Sequence, residues 1–113
     1  MNIGQRGEKA AELYLLRERY RILARNFSCR FGEIDLAAEK DGYVVFAEVK
    51  TRSPGALVSG EESVDAHKQR RLRAAAEIYL HRFPTALQPR FDVIIVERRD
   101  ECYRIVRHIE NAF

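Results

Sequence analysis

The stretch from Gly32 to Lys50 constrains this chain more than any other. Gly32-Glu33-Ile34-Asp35-Leu36 and Phe46-Ala47-Glu48-Val49-Lys50 alternate apolar and polar residues with the two-residue period of a half-buried strand. Asp41-Gly42 lies between them, a dipeptide suited to a tight hairpin turn with positive φ. With these two residues as the loop, Lys40 faces Tyr43, and the register sets Asp35 opposite Glu48 and Glu33 opposite Lys50. Facing side chains have Cβ atoms roughly 4.5–5.5 Å apart, and like charges so placed repel. A divalent cation between the two carboxylates would remove the repulsion, with Lys50 one step along the same face. Val44 and Phe46 share that face, so an apolar strand surface ends in an acid and a base, a pattern more often functional than decorative. The plain alternative is an acidic solvent face neutralised by a nearby Lys.

The remaining pattern sets this hairpin in an α/β layout. Ala10, Leu13 and Tyr14 mark an amphipathic helix from about Ile3 to Arg19, and Tyr20 to Ser28 follows as a strand. Thr51 to Glu62 contains Ser53-Pro54-Gly55 and Ser59-Gly60 and reads as a mobile loop. Ser59 or Ser63 is positioned to cap a second helix running to about Arg82, which Pro84 ends. Arg90–Arg98, with its Val93-Ile94-Ile95-Val96 run, reads as a strand buried on both faces, and Cys102–Ile109 as a last strand. The order is αβββαββ. Its strand–helix–strand passage implies a crossover between parallel strands, hence a mixed sheet flanked by helices.

Length and composition bound the function class. A chain of 113 residues has room for one domain spanning 1–113. No run approaches the ~20 apolar residues of a membrane span. The start of the chain lacks the apolar stretch of a secretory signal. Cys29 and Cys102 are isolated thiols, with neither zinc spacing nor a disulfide framework, and the expected location is the cytoplasm. The net charge of +3 and pI near 9.1 favour an anionic partner, most often nucleic acid. Basic residues gather as Arg17, Arg19, Arg21, Arg25 and Arg30, as Lys68, Arg70, Arg71 and Arg73, and as Arg98, Arg99, Arg104 and Arg107. Each group is equally readable as a solvated face or as phosphate contacts.

Glu33-Ile34-Asp35 followed by Glu48-Val49-Lys50 resembles the Asp…Glu-x-Lys core of restriction-endonuclease-like nucleases, with Ile34 where that superfamily prefers Pro. The chain also resembles the bacterial YraN family of small uncharacterised proteins, itself distantly similar to archaeal Holliday junction resolvases. Gly4-x-x-Gly7-Glu8-x-x-Ala11, Gly32-Glu-Ile-Asp-Leu36, Phe46-Ala-Glu-Val-Lys-Thr-Arg52, Lys68 with Arg71-Leu72, and Arg90-Phe-Asp-Val-Ile94 carry the resemblance in the family's order. It implies a restriction-endonuclease-like core and an endonuclease acting on structured or branched nucleic acid, with DNA the first expectation and a homodimer a further one. The alternative is a binding protein that keeps the fold without catalysis.

The expected roles follow. Asp35, Glu48 and the Val49 carbonyl would hold Mg²⁺ or Mn²⁺, hard ions that prefer oxygen. Lys50 would stabilise the phosphorane or orient the attacking water. Glu33 would either hold the Lys50 amine or add a metal contact. Lys68 continues the apolar stripe of Leu72, Ala75 and Tyr79 and so faces the protein, for a phosphate or with its stem merely snorkelling to water. Glu8 is a dipole-favoured surface acid on its own reading; the resemblance to resolvases makes it a metal residue. Arg52, Lys68, Arg70, Arg71 and Arg73 are the expected nucleic-acid contacts. His67, His81 and His108 share no ligand spacing and read as surface or packing residues.

Overall fold

A computed structural model describes residues 1–55 and 64–113. The elements are α1 (Ile3–Arg17), β1 (Arg21–Cys29), β2 (Gly32–Lys40), β3 (Tyr43–Arg52), α2 (Ala66–Arg82), β4 (Gln88–Arg99) and β5 (Cys102–Ile109). The strands form one five-stranded sheet in sequential order β1-β2-β3-β4-β5. β3 and β4 are parallel, joined through α2, and the other neighbours are antiparallel. This is the mixed α/β arrangement of a restriction-endonuclease-like core.

The helices cover opposite faces. Ala11 and Leu15 of α1 pack on Leu36, Ala38, Val45, Ala47, Ile94 and Val96. Leu72, Ala75, Ala76 and Tyr79 of α2 pack on Ile34, Ala37, Val44 and Phe46. Val93 to Val96 are buried on both faces of β4, as their unbroken apolar run requires. The expected loop from Thr51 to Glu62 starts later: Thr51 and Arg52 belong to β3, and 56–63, with both serines considered as caps, lie outside the described residues. The cap is Asp65, whose carboxylate accepts the Lys68 N–H at 2.8 Å. A carboxylate there also complements the helix dipole. Among the described residues no helix is long and apolar enough to cross a membrane.

The hairpin forms in the expected register. Asp41 and Gly42 have φ of 51° and 87°, and pairing runs from Lys40↔Tyr43 to Leu36↔Ala47. The ladder stops there, one step short of Asp35 and Glu48. Strict alternation fails at the same place. Ile34 belongs to the α2 face, yet Leu36, two residues on, belongs to the α1 face. In β1, Arg25 reaches Glu12 of α1 while Phe27 packs edge-on against Tyr79 of α2. Between them Asn26 has a left-handed φ of 50°, a conformation Asn tolerates better than most residues. Both strands change face at this point, so Asp35 is accessible from either helix.

Candidate metal and nucleic-acid site

Three elements converge on Asp35. Asn2 caps α1 in a reciprocal box with Gln5, and the helix then lies on the end of β3. A Cβ at Gly7 would fall 1.8 Å from Thr51 Oγ1, so only glycine admits that side chain. The close contact places the next residue, Glu8, beside β1 and β2, where it hydrogen-bonds with the side chains of Asn26 and Asp35. Carboxylate oxygens of Glu8, Glu33 and Asp35 all lie within 4.8 Å of one another. None of the three forms an ion pair among the described residues.

The electrostatics follow from that crowding. Burial, then the Glu48, Glu8 and Glu33 charges, push Asp35 from the ordinary 3.8 up to about 8, against the Val49 N–H donated to its Oδ2 at 2.8 Å. Burial and Glu33 likewise raise Glu8. A hydrogen bond between two carboxyl groups needs a shared proton, so a proton stands where a cation would otherwise be needed. Hard oxygen donors at this spacing fit Mg²⁺ or Mn²⁺.

A cleft of about 220 Å³ opens beside the cluster, lined by Glu33, Asp35, Glu48, Lys68, Arg71 and Leu72. Glu48 Oε1 lies 3.5 Å from Lys68 Nζ. The Lys50 amine neighbours that of Lys68. Burial and the neighbouring Lys68 lower Lys50, while the hydrogen bond to Lys50 and the Glu48 charge raise Lys68. Lys50 is therefore the amine that gives up its proton first. The sequence reading placed Glu48 among the ligands and left Glu33 between two roles. The geometry groups Glu33 with Glu8 and Asp35, gives Glu48 a lysine, and forms no Glu33–Lys50 ion pair among the described residues.

A family model described as uncharacterised protein family UPF0102 matches residues 7–96. The chain belongs to that family. It is 46% identical over 112 residues to a UPF0102 protein of Symbiobacterium thermophilum, covering 98% of this chain and 95% of the relative. A UPF0102 protein of Caldanaerobacter subterraneus subsp. tengcongensis is 42% identical over 114 residues, covering 98% and 93%. The matched stretch contains Glu8, Glu33, Asp35, Glu48, Lys50 and Lys68. This is the YraN family that the motifs resemble.

Not every expected contact of this UPF0102 chain gathers here. Lys68 and Arg71 line the acidic cleft. Arg70 and Arg73 instead border a groove between α2 and β4, where the Arg73 guanidinium lies 4.9 Å from the Phe91 ring centroid and 5.4 Å from that of Phe113. Arg52, the last residue of β3, stands opposite Glu97 of β4 and outside the cleft lining.

Sequence reasoning missed two features. One is Asn26, whose positive φ and hydrogen bond to Glu8 help build the cluster; an Asn within a strand pattern was its only signal. The other is a polar centre on the α1 face. Asp92, fully buried, takes Arg90 Nε and Nη2 at 2.9 and 2.8 Å, His108 Nε2 at 2.7 Å and the Asn111 N–H at 3.1 Å. His108 Nδ1 hydrogen-bonds the Tyr14 hydroxyl at 2.8 Å, and Arg90 donates to the Tyr20 hydroxyl at 2.9 Å. His108 is thus a buried bridge between α1 and the sheet. Arg90-x-Asp92 on one strand face was the legible part of this centre.

Proposed function

We propose that this chain is a metal-dependent phosphodiesterase acting on nucleic acid, with structured or branched DNA the first substrate class to test. The observation that carries the proposal is the Glu8–Glu33–Asp35 cluster, without an ion pair among the described residues, beside a cleft that Glu48 and Lys68 line. A fold assembled for passive stability has little use for three crowded acids with no basic partner among the described residues. Glu8, Glu33 and Asp35 would hold Mg²⁺ or Mn²⁺, with Glu48 at the cleft wall. When bound, such an ion neutralises charge on the scissile phosphate and acidifies a water.

The protein's own groups supply the rest. The Lys68 ammonium, kept charged by Glu48 and Lys50, binds a non-bridging phosphoryl oxygen. Arg71 adds a second cation to the same wall. The Lys50 amine, pushed towards its neutral form, accepts the proton of the attacking water or orients that water. Val49 N–H fixes the Asp35 carboxylate from behind.

The test is cleavage of single-stranded, duplex, flapped and four-way-junction DNA and RNA with Mg²⁺, Mn²⁺ or EDTA. Metal-dependent cutting that Asp35→Asn and Lys50→Ala both abolish is the expected result. Binding without cutting under any metal favours a binding protein that has kept the fold, and the groove bordered by Arg70 and Arg73 is the observation behind that second reading.

A further inference from the structure

The β1–β2 turn presents an aromatic ring next to the carboxylate cluster. Cys29 pairs with Gly32, so Arg30 and Phe31 alone form the tip. Phe31 is 47% exposed, and the Arg30 guanidinium lies 5.1 Å from its ring centroid. The base of the turn is seated on α2: a Cβ at Gly32 would meet the Arg71 carbonyl oxygen at 2.8 Å. Arg71 lines the cleft, and Glu33, one residue beyond Gly32, carries a carboxylate of the cluster. Two residues of strand span on the order of 7 Å, about a nucleotide's reach.

An exposed phenylalanine alone is ordinary. A ring held by its turn, two residues from a carboxylate that lines the cleft and with a guanidinium against it, has the composition of a base-stacking platform. In an intact duplex both faces of a base are covered by neighbours, so such a ring can take only an unpaired, terminal or extruded base. We propose that Phe31, with Arg30, stacks on an unpaired base next to the cleavage point, so that the substrate carries single-stranded or opened nucleotides there. This rests on the phosphodiesterase reading and narrows it.

The chain has no tryptophan, so Phe31→Trp introduces a single reporter at the tip. The experiment uses an Asp35→Asn background to stop turnover. Fluorescence anisotropy and tryptophan emission are recorded with blunt duplex, forked duplex and single strand, as DNA and as RNA. Emission of Phe31→Trp should fall with the fork and the single strand and stay unchanged with blunt duplex. Phe31→Ala should bind the fork about 5- to 150-fold more weakly, the range for one lost stacked base, and blunt duplex as the Phe31 protein does. Unaltered emission with unaltered fork binding, or equal loss on fork and duplex, overturns the platform while leaving the phosphodiesterase reading intact. If the Phe31 protein binds no probe and the Asp35 protein cuts none, both proposals are overturned. Matching melting curves for the parent and both Phe31 variants verify the fold, and the DNA and RNA arms identify the sugar.

Discussion

Asp92 on β4 and Asp35 on β2 belong to one sheet but meet opposite environments. Asp92 is enclosed, and every lone pair it offers is answered by Arg90, His108 or the Asn111 N–H. Burial alone would raise its pKa; the His108 and Arg90 contacts and the backbone N–H outweigh that and hold it below the ordinary value. Asp35 receives one backbone N–H and some attraction from Lys50 and Lys68, but burial and the Glu48, Glu8 and Glu33 charges push it up to about 8. The same residue type is neutralised by the fold in one place and left requiring a cation in the other. Asp92 ties α1 to the sheet through His108 and Tyr14, whereas Asp35 sits among other carboxylates with oxygens open to a ligand.

The largest expected effect is at the neutralised centre. Asp92→Ala strands Arg90, 13% exposed, without its carboxylate, and breaking a buried pair costs about 3–5 kcal/mol. Urea denaturation should place Asp92→Ala well below the parent. Adding Arg90→Met to it should recover part of the loss, because no uncompensated charge then remains. A cost near that of an ordinary surface substitution, within about 0.5 kcal/mol, would remove the structural half of the contrast.

Next comes the response of the acidic cluster to metal. A ligand that binds only the folded state stabilises it by about 2.7 kcal/mol at 100-fold excess over its Kd. Mn²⁺ or Mg²⁺ should raise the parent's melting temperature, and Asp35→Asn, Glu8→Gln and Glu33→Gln should each reduce that rise. Lys50→Ala should keep it while losing turnover, because Lys50 acts on the water and not on the ion. Calorimetric titration separates the two lists of ligands. If Glu48→Gln weakens metal binding more than Glu33→Gln does, Glu48 leaves Lys68 to become a ligand, and the arrangement expected from the sequence is the loaded one.

The register of the β2–β3 hairpin was legible because Asp41-Gly42 fixes it locally, and every pair then follows by counting. The mixed sheet was legible because a strand, a helix and a strand in succession imply a parallel crossover, and the Val93 to Val96 run marked β4 as buried on both faces. The face change at Asn26 and Asp35 was not, since alternation assumes an unbroken pleat and a left-handed Asn gives no periodic signal. Glu8 came from resemblance alone: its position depends on Thr51 entering the space at Gly7, a tertiary contact. Glu33 was read as facing Lys50 by extending a ladder that stops at Leu36. Asp92 and His108 lie 16 residues apart and meet through the pairing of β4 with β5, with Ile94 opposite His108. Neither residue type announces a partner at that distance.

The pH dependence sharpens the contrast by giving the two aspartates opposite slopes. Asp35 holds a proton in the folded chain between its unfolded value near 3.8 and about 8. The folded state binds more protons across that window, so metal-free stability falls as pH rises through it. The raised Glu8 pKa acts in the same direction. The lowered Lys50 acts oppositely, since its folded state sheds a proton before the unfolded chain does. Asp92 contributes stability that is present above the unfolded carboxylate value and lost as pH falls through its depressed folded value. Melting curves from pH 2 to 9 in EDTA should therefore show an alkaline limb flattened by Asp35→Asn and an acid limb, below the ordinary carboxylate value, flattened by Asp92→Asn. A parent and Asp35→Asn that run parallel across the range would mean that Asp35 carries no retained proton.

The smallest effect is the most direct discriminator, because its sign differs between the two centres. Asp35→Asn replaces a carboxyl that already holds a proton at neutral pH, and its side-chain oxygen still accepts the Val49 N–H. In EDTA at neutral pH the variant should equal the parent or exceed it, because Asn folds without the proton that Asp35 takes up. Asp92→Asn under the same conditions should be destabilised, because one amide oxygen cannot replace the two carboxylate oxygens that Arg90, His108 and the Asn111 N–H share. Paired urea titrations of the two variants test this without metal, substrate or activity. A loss at Asp35→Asn comparable to that at Asp92→Asn would show that the metal-free fold depends on the Asp35 carboxyl. The cluster would then be structural, and the Arg-bordered groove of α2 would become the better place to look for nucleic acid.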